Sequence, residues 1–336
     1  MLLVCVLAST PGYSQQPIVT LELRQLVGEA LRNNPEIQAS LHQADAAHAR
    51  VGQAGTLDDP ALTYMREEMP GFRWNQSEMQ KIELMQMVRF PSKFSKQNEL
   101  AEIQAEHSHH EHYEKVLEVL AKLKSGYFEL WFVQQSLALN QLENQGTVLQ
   151  QQEQSAKAML MAILNRQPND TLGAAALSDS VVFRATLDTL QQLALQSRPM
   201  LLHDSLAVEE SRVMLSLSKR EYLPDIKLGI QYVTVPVGDF RGWSISAGIT
   251  LPFAPWTLGK ASSRVEEATA TISKSSATLN ASRNMVLSNV KDLYFKAQSA
   301  RRQLDSYRTV ILPQAQQSLK ASITAYQNGR TDFLML

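Results

Sequence analysis

The sequence predicts a mainly α-helical fold with a small β portion, in which a helix, a β-hairpin and a long helix occur twice. Three observations support this prediction. Apolar residues recur every seven positions in the C-terminal third, short segments in each half alternate between apolar and polar residues, and landmark residues of the first half return in the second. A period of seven is typical of long packed helices, and a period of two is typical of strands.

The N-terminal residues predict export. Met1 to Ala8 is an apolar run, and small and polar residues follow it from Ser9 to Gln15. This order is typical of a secretory signal peptide, which we place at residues 1–16. No Lys or Arg precedes the run, so a buried N-terminal segment is the alternative. Cys5 is the only cysteine, which excludes an internal disulfide and a cysteine-based metal site.

The first repeat is predicted to cover residues 17–170 and begins with two helices. Asn34-Pro35 ends the first helix and opens the second, because proline is well tolerated in a first helical turn. Asp58-Asp59-Pro60 ends the second helix, and two strands follow at about 61–90. A single long helix is then predicted from about Ser95 to Lys157.

The second repeat is predicted to cover residues 171–336, with strands at about 225–252. Its Pro199 and Pro224 each lie 164 residues after Pro35 and Pro60 of the first repeat. In its long helix the residues seven apart are Val265, Ile272, Leu279, Val286 and Leu293, and the second seam position is expected four residues after each, at Thr269, Ser276, Arg283 and Val290. A helix of ~60–70 residues is roughly 100 Å long, so we predict extended coiled-coil helices.

The strand from Trp243 to Leu251 has two contrasting faces. Its apolar residues alternate with four small ones, which are Ser244, Ser246, Gly248 and Thr250. We predict that these four residues line a wet lumen while the apolar face contacts lipid. A half-buried strand of a soluble sheet is the alternative. The first strand fits a lipid-facing role less well, because Arg66 shares the phase of Leu62 and Tyr64.

The first repeat is also predicted to be incomplete. Glu153 to Ala158 matches Gln316 to Ala321 of the second repeat, but the two sequences diverge directly afterwards. From Met159 the first repeat resembles the end of a returning helix. We therefore expect that a helical tip and most of a helix are deleted between residues 158 and 159, and that the second repeat is truncated at its C-terminus.

Four histidines cluster in the long helix of the first repeat, at His107, His109, His110 and His112. At about 100° per residue they lie on two nearly opposite faces, so one ion cannot contact all four. His107 with Glu111, or His109 with Tyr113, gives at most two ligands, fewer than a firm zinc site has. A solvated helix face is the favoured interpretation, and weak metal binding is the alternative.

The sequence gives little support for other metal sites or for catalysis. Methionine thioethers could bind Cu(I), but packing in the barrel and hairpins is the favoured interpretation; the residues are Met65, Met69, Met79, Met85 and Met87. The sequence has no Gly-rich phosphate loop, serine nucleophile elbow or metalloprotease motif. We therefore predict no enzyme activity and no cofactor. The net charge of −1 and the isoelectric point near 6.7 predict no nucleic-acid partner.

The duplicated unit resembles the TolC-like outer-membrane efflux factors. The segments that carry the resemblance are Leu31 to Pro35, Arg89 to Lys93, Leu223 to Ile226 and Ala325 to Leu334. The resemblance implies a homotrimer in which each chain gives four strands to one shared membrane β-barrel, with the long helices forming a periplasmic α-barrel. Phe90 to Phe94 resembles the metal-exporting CusC- or CzcC-like branch, although Ser92 stands where that branch has glycine.

The same resemblance implies a function. It implies a passive outer-membrane channel in a tripartite efflux system, which carries small molecules or metal ions and works with a periplasmic adaptor and an inner-membrane pump of the RND type. The helical tip that contacts the adaptor would comprise Tyr326, Gly329, Arg330, Thr331 and Asp332. One alternative is a type I secretion channel. Another is a secreted coiled-coil scaffold or a His-rich metal-binding periplasmic protein.

Overall fold

The computed structural model describes residues 20–67, 79–139, 143–168, 170–176, 185–235, 240–252, 254–256 and 258–328. The predicted mainly helical class with a four-stranded sheet is confirmed. In order, the elements are β1 (Thr20–Leu21), α1 (Leu23–Asn33), α2 (Pro35–Ala54), β2 (Ala61–Glu67), β3 (Met79–Val88), α3 (Pro91–Leu139), α4 (Glu143–Leu164), β4 (Ala174–Ala175), α5 (Leu187–Ser197), α6 (Pro199–Arg220), β5 (Ile226–Val235), β6 (Phe240–Ile249), α7 (Leu258–Ser306), a π-helical turn (Tyr307–Ile311) and α8 (Leu312–Gln327).

The chain divides into two compact units. The first consists of Met1–Thr56 and Gln97–Val182, and the second of Leu57–Lys96 and Phe183–Leu336. These units differ from the two sequence repeats, because the hairpin of the first repeat pairs with the hairpin of the second. None of the helices in the described ranges is both long enough and apolar enough to cross a membrane.

In the first unit, Asn34 joins two helices to a third. Its side-chain oxygen accepts a hydrogen bond from the Ile37 amide at 3.1 Å, which caps α2, and Pro35 occupies the first turn of that helix. Its side-chain nitrogen donates to the Ile163 carbonyl at 2.7 Å, near the end of α4. The predicted break at Asn34-Pro35 is therefore confirmed, and the buried asparagine also satisfies its donor group.

The core of the first unit lies between α1, α3 and α4; its least exposed members are Leu26, Ala30, Leu123, Tyr127, Leu130, Leu160 and Leu164. The Tyr127 hydroxyl reaches the small parallel sheet formed by β1 and β4. It lies 2.7 Å from the Leu21 carbonyl and 2.6 Å from the Ala176 carbonyl, and it accepts a hydrogen bond from the Ala176 amide at 3.1 Å. One side chain therefore connects the long helix to both short strands.

An ion pair joins α1 to the residues just after α4. The Arg166 guanidinium donates to both carboxylate oxygens of Glu29, each at 2.6 Å. These hydrogen bonds lower the pKa of the Glu29 carboxyl, although burial acts in the opposite direction. The pair is about three-quarters shielded from solvent, so it contributes more than a fully exposed pair would.

The predicted single helix from Ser95 to Lys157 is wrong. Helix α3 ends at Leu139, and α4 returns antiparallel to it, because Leu160 lies beside Gly126 and the Glu153 carboxylate accepts a hydrogen bond from Gln134. Helix α4 passes residues 158 and 159 without a break. Its apolar residues Ala156, Leu160 and Leu164 join the core, which explains why the segment folds back. The deletion predicted between residues 158 and 159 stays a prediction.

In the second unit, α6 packs on α7 through small residues. Of the predicted seven-residue positions, Val286 is buried and Val265, Ile272 and Leu279 are half-buried, but Leu293 is 64% exposed. The prediction of the second seam position is wrong by one residue. The residues that face α6 each lie one place before the expected ones: Ala268, Ser275 and Ser282 in place of Thr269, Ser276 and Arg283. The Ser275 and Ser211 hydroxyls lie 2.9 Å apart across this interface. Small residues at the seam allow the two helices to approach closely.

Candidate functional site

The four-stranded sheet of the second unit is antiparallel, in the order β2-β3-β5-β6, and it has one apolar face. Its register aligns four rows of residues on this face. From the end nearest the long helices these rows are Val88-Ile226-Ile249, Gln86-Leu228-Ala247, Leu62-Leu84-Ile230-Ile245 and Tyr64-Ile82-Tyr232-Trp243. Many of these side chains are exposed, including Ile245 at 83% and Trp243 at 72%. An exposed apolar surface of this size marks an interaction site.

The last apolar row is aromatic. Tyr232 and Trp243 face each other across β5 and β6 with ring centroids 4.9 Å apart, and Tyr64 occupies the same row on β2. Beyond it, a final row contains Arg66, Gln80, Thr234 and Arg241. Arg66 therefore lies in the last row of the described sheet, and not in the middle of the apolar face. From the sequence alone, Arg66 counted against a lipid-facing role for the first strand, and this position removes that objection.

The opposite face of the sheet carries most of its charged and polar side chains. The Gln231 amide donates to the Ser244 hydroxyl at 2.6 Å, and Lys81 lies 3.1 Å from the Glu83 carboxylate. Gly229 lies directly opposite Ser246, and a Cβ at residue 229 would overlap the Ser246 hydroxyl. A side chain at this position would therefore displace the Ser246 hydroxyl. Met65, Met79, Met85 and Met87 share this polar face, whereas Met69 lies outside the described residues.

The four predicted lumen residues fall into two groups. Ser244, Ser246 and Gly248 lie on the polar face of β6, in register with Gln231, Gly229 and Lys227 of β5. Thr250 follows the end of β6, and its hydroxyl accepts a hydrogen bond from the Asp225 amide at 2.7 Å. It therefore belongs to the junction between the sheet and the helices.

This junction is organised around Asp225, which sequence reasoning missed. The Asp225 carboxylate accepts hydrogen bonds from the Phe90 amide at 3.0 Å and from the Lys93 ammonium at 2.8 Å. Lys93 is largely buried and also donates to the Leu223 carbonyl at 2.8 Å. The sequence marks both residues as close to the ends of elements, since Asp225 follows Pro224 and Lys93 lies two residues after Pro91. It does not indicate that the two side chains meet.

The predicted histidine cluster does not form one site. The His112 ring lies 2.8 Å from the Ser40 hydroxyl, and its pKa is lowered by burial and by the nearby His109. His109 packs against Tyr113 with ring centroids 4.9 Å apart. The Glu111 carboxylate accepts a hydrogen bond from Gln43. Within the described part of the chain, no three His, Cys, Asp or Glu residues are placed to hold a metal ion, and His107 and His110 add no ligand set there.

The predicted adaptor-contacting tip is only partly described. Tyr326 lies near the end of α8 and is 46% exposed. Gly329, Arg330, Thr331 and Asp332 lie outside the described residues. Exposed apolar side chains continue along α8 toward the tip, at Leu312, Leu319 and Ile323.

Comparisons with known proteins agree with this fold. The family model of outer membrane efflux proteins matches residues 190–335. The outer-membrane channel OprN is similar with a TM-score of 0.72 and 16% identity, over 93% of this chain and 82% of that one. The outer membrane protein VceC from Vibrio cholerae gives 0.71 and 16%, over 93% and 87%. CusC, whose folding and transmembrane channel formation have been studied, gives 0.69 and 16%, over 94% and 85%. Curated protein sequences give no match.

Proposed function

We propose that this chain, whose residues 190–335 form an outer membrane efflux protein domain and whose fold is that of the TolC-like channels, is one subunit of an outer-membrane efflux channel. The observation that carries the proposal is the two-faced sheet. One face is apolar, exposed and ends in an aromatic row, and the other carries serine, glutamine and lysine. Transmembrane β-barrels have this alternation, with aromatic residues at the membrane interfaces.

Closing the barrel requires more than one copy of the chain. The sheet has four strands, and β2 and β6 are its edges in the described residues. Exposed edges pair readily with other strands, and a barrel wide enough for an interior needs about eight strands or more. Three copies of four strands give twelve, which supports a homotrimer. We infer that Ser244, Ser246 and Gly248 line the lumen of this barrel.

The channel itself would be passive. The chain would receive its cargo of small molecules or metal ions from an inner-membrane pump, and an adaptor would contact the tip near Tyr326. The long helices would lie in the periplasm. The fold is shared with CusC, but this likeness does not select metal ions over other small molecules, and the same conduit geometry would serve a type I secretion system. A secreted scaffold is the less favoured function, because it leaves the exposed apolar face unexplained.

Membrane fractionation tests this function. We expect the chain in the outer membrane as a trimer that changes its mobility on heating, and we expect ion conductance after reconstitution into planar bilayers. A soluble periplasmic monomer would contradict the proposal.

A matched pair of variants locates the lipid-facing surface. Ile245→Arg places a charge in the middle of the apolar face, where it costs ~2–4 kcal/mol in a bilayer. Ser244→Arg places the same charge on the neighbouring residue of the polar face. We expect the first variant to lose outer-membrane trimer and the second to retain it while its conductance changes. Equal loss in both variants would contradict the assignment of the two faces.

A further inference from the structure

The two charged side chains on the apolar face both lie in its last row. The strand residues of this face include no Asp or Glu among those that the structure describes, and Arg66 and Arg241 are its only cationic residues there. The other charged strand residues, among them Lys81, Glu83 and Lys227, lie on the opposite face. Charge on the apolar face is thus confined to one end of the sheet.

The row sequence from the middle of this face outward is aliphatic, then aromatic, then cationic. Leu62, Leu84, Ile230 and Ile245 form the aliphatic row, Tyr64 and Trp243 mark the aromatic row, and the two arginines follow one row later. Successive rows are about 7 Å apart along the strands. In a membrane protein an aromatic row marks the level of the lipid headgroups, so the guanidinium groups lie at or just outside that level.

We propose that Arg66 and Arg241 bind the phosphate groups of anionic lipid in the outer leaflet of the outer membrane. Arginine suits this role because its guanidinium donates two parallel hydrogen bonds to a phosphate. The end of the sheet that carries the arginines is the one remote from the starts of α3 and α7, so in an outer-membrane channel with periplasmic helices it faces the outer leaflet. The inference rests on the proposed function for this orientation.

The two arginines belong to one site only in an assembly. Arg66 is on β2 and Arg241 is on β6, the two edges of the sheet, three strand spacings or roughly 14 Å apart. In a closed barrel β6 of one copy would adjoin β2 of the next, which brings Arg241 close to the Arg66 of the neighbouring subunit. Each subunit boundary would then present a pair of guanidinium groups to one lipid headgroup.

Native mass spectrometry of the detergent-solubilised trimer, titrated with lipid A, tests the proposal. We expect Arg66→Gln/Arg241→Gln to lower the apparent affinity for lipid A by roughly tenfold or more, since each basic side chain near an anionic surface contributes about fivefold. The matched control is Lys81→Gln/Lys227→Gln, which removes the same number of positive charges from the opposite face. We expect that control to bind within about twofold of the wild type.

Dephosphorylated lipid A provides a second arm that needs no variant, so it is informative even if the arginine double variant fails to assemble. The wild type should bind it about as weakly as the arginine double variant binds lipid A. Equal binding of both lipids, or unchanged binding by the arginine variant, would overturn the proposal. Inorganic phosphate should release lipid A more readily than chloride does at the same ionic strength, because it competes for the same guanidinium groups. Conductance of the same samples reports the channel function separately.

Discussion

The long helices of the two repeats have related sequences but different surroundings. Tyr127-Phe128 of α3 corresponds to Tyr294-Phe295 of α7, and in both pairs the rings meet edge to face with centroids 5.8 and 5.7 Å apart. In α3 the tyrosine is buried at 1% exposure, because α4 packs beside it. In α7 the tyrosine is only half-buried, although α5 packs on this helix. The same local pattern is therefore fully buried in α3, where α4 packs beside it, and half-buried in α7.

The substitution with the largest expected effect removes a side chain from the contact between α3 and α4. Leu160 is fully buried, so Leu160→Ala should lower the free energy of unfolding by ~2–5 kcal/mol. The matched control is Leu319→Ala in α8, where the leucine is 52% exposed and the cost should stay within about 0.5 kcal/mol. Urea unfolding of the detergent-solubilised protein measures both. Similar costs would show that α8 is covered in solution as α3 is.

Removing one hydroxyl from each of the two corresponding tyrosines gives a smaller effect. Tyr127→Phe removes the hydroxyl that lies within hydrogen-bond distance of the buried Leu21 carbonyl and of the Ala176 carbonyl, and it should cost ~1–3 kcal/mol. Tyr294→Phe removes only a hydrogen bond from Gln298 on the surface of α7, so it should cost less than about 0.5 kcal/mol. Thermal unfolding followed by circular dichroism compares them. A cost for Tyr294→Phe as large as that for Tyr127→Phe would contradict the difference in burial.

The smallest expected effect depends on pH. The pKa of Glu29 is lowered in the folded chain by Arg166, so the ion pair stabilises the fold fully above about pH 5, and this contribution is lost as the pH falls through the lowered pKa. Glu29→Gln should remove this dependence, with a change of roughly 1 kcal/mol or less. The second repeat has Leu193 at the corresponding position, so it makes no such pair there.

Urea unfolding at a series of pH values measures this effect. Glu129→Gln, which removes an exposed carboxylate from α3, is the control and should keep the pH dependence of the wild type. A Glu29→Gln variant that still loses stability below pH 5 as steeply as the wild type would contradict the role of the pair.

Sequence patterns predicted what depends on neighbouring residues in the chain. The alternation from Trp243 to Ile249 and the helix break at Asn34-Pro35 are local, and both are present in the structure. The reversal of direction from α3 to α4 was missed because both segments favour helix, and only the burial of Leu160 against α3 selects the fold-back. Asp225 was missed for a similar reason, since its partners Phe90 and Lys93 are more than 130 residues away.

The π-helical turn from Tyr307 to Ile311 has a consequence for the uncovered surface of α7 and α8. Before it, Val290, Ala297 and Leu304 follow one another at intervals of seven; after it, Leu312, Leu319 and Tyr326 do the same. Across the turn the interval from Leu304 to Leu312 is eight. A wide turn accommodates one extra residue without breaking the helix. The turn therefore keeps a single apolar stripe in phase along α7 and α8, so that one continuous strip of surface remains available to a neighbouring helix.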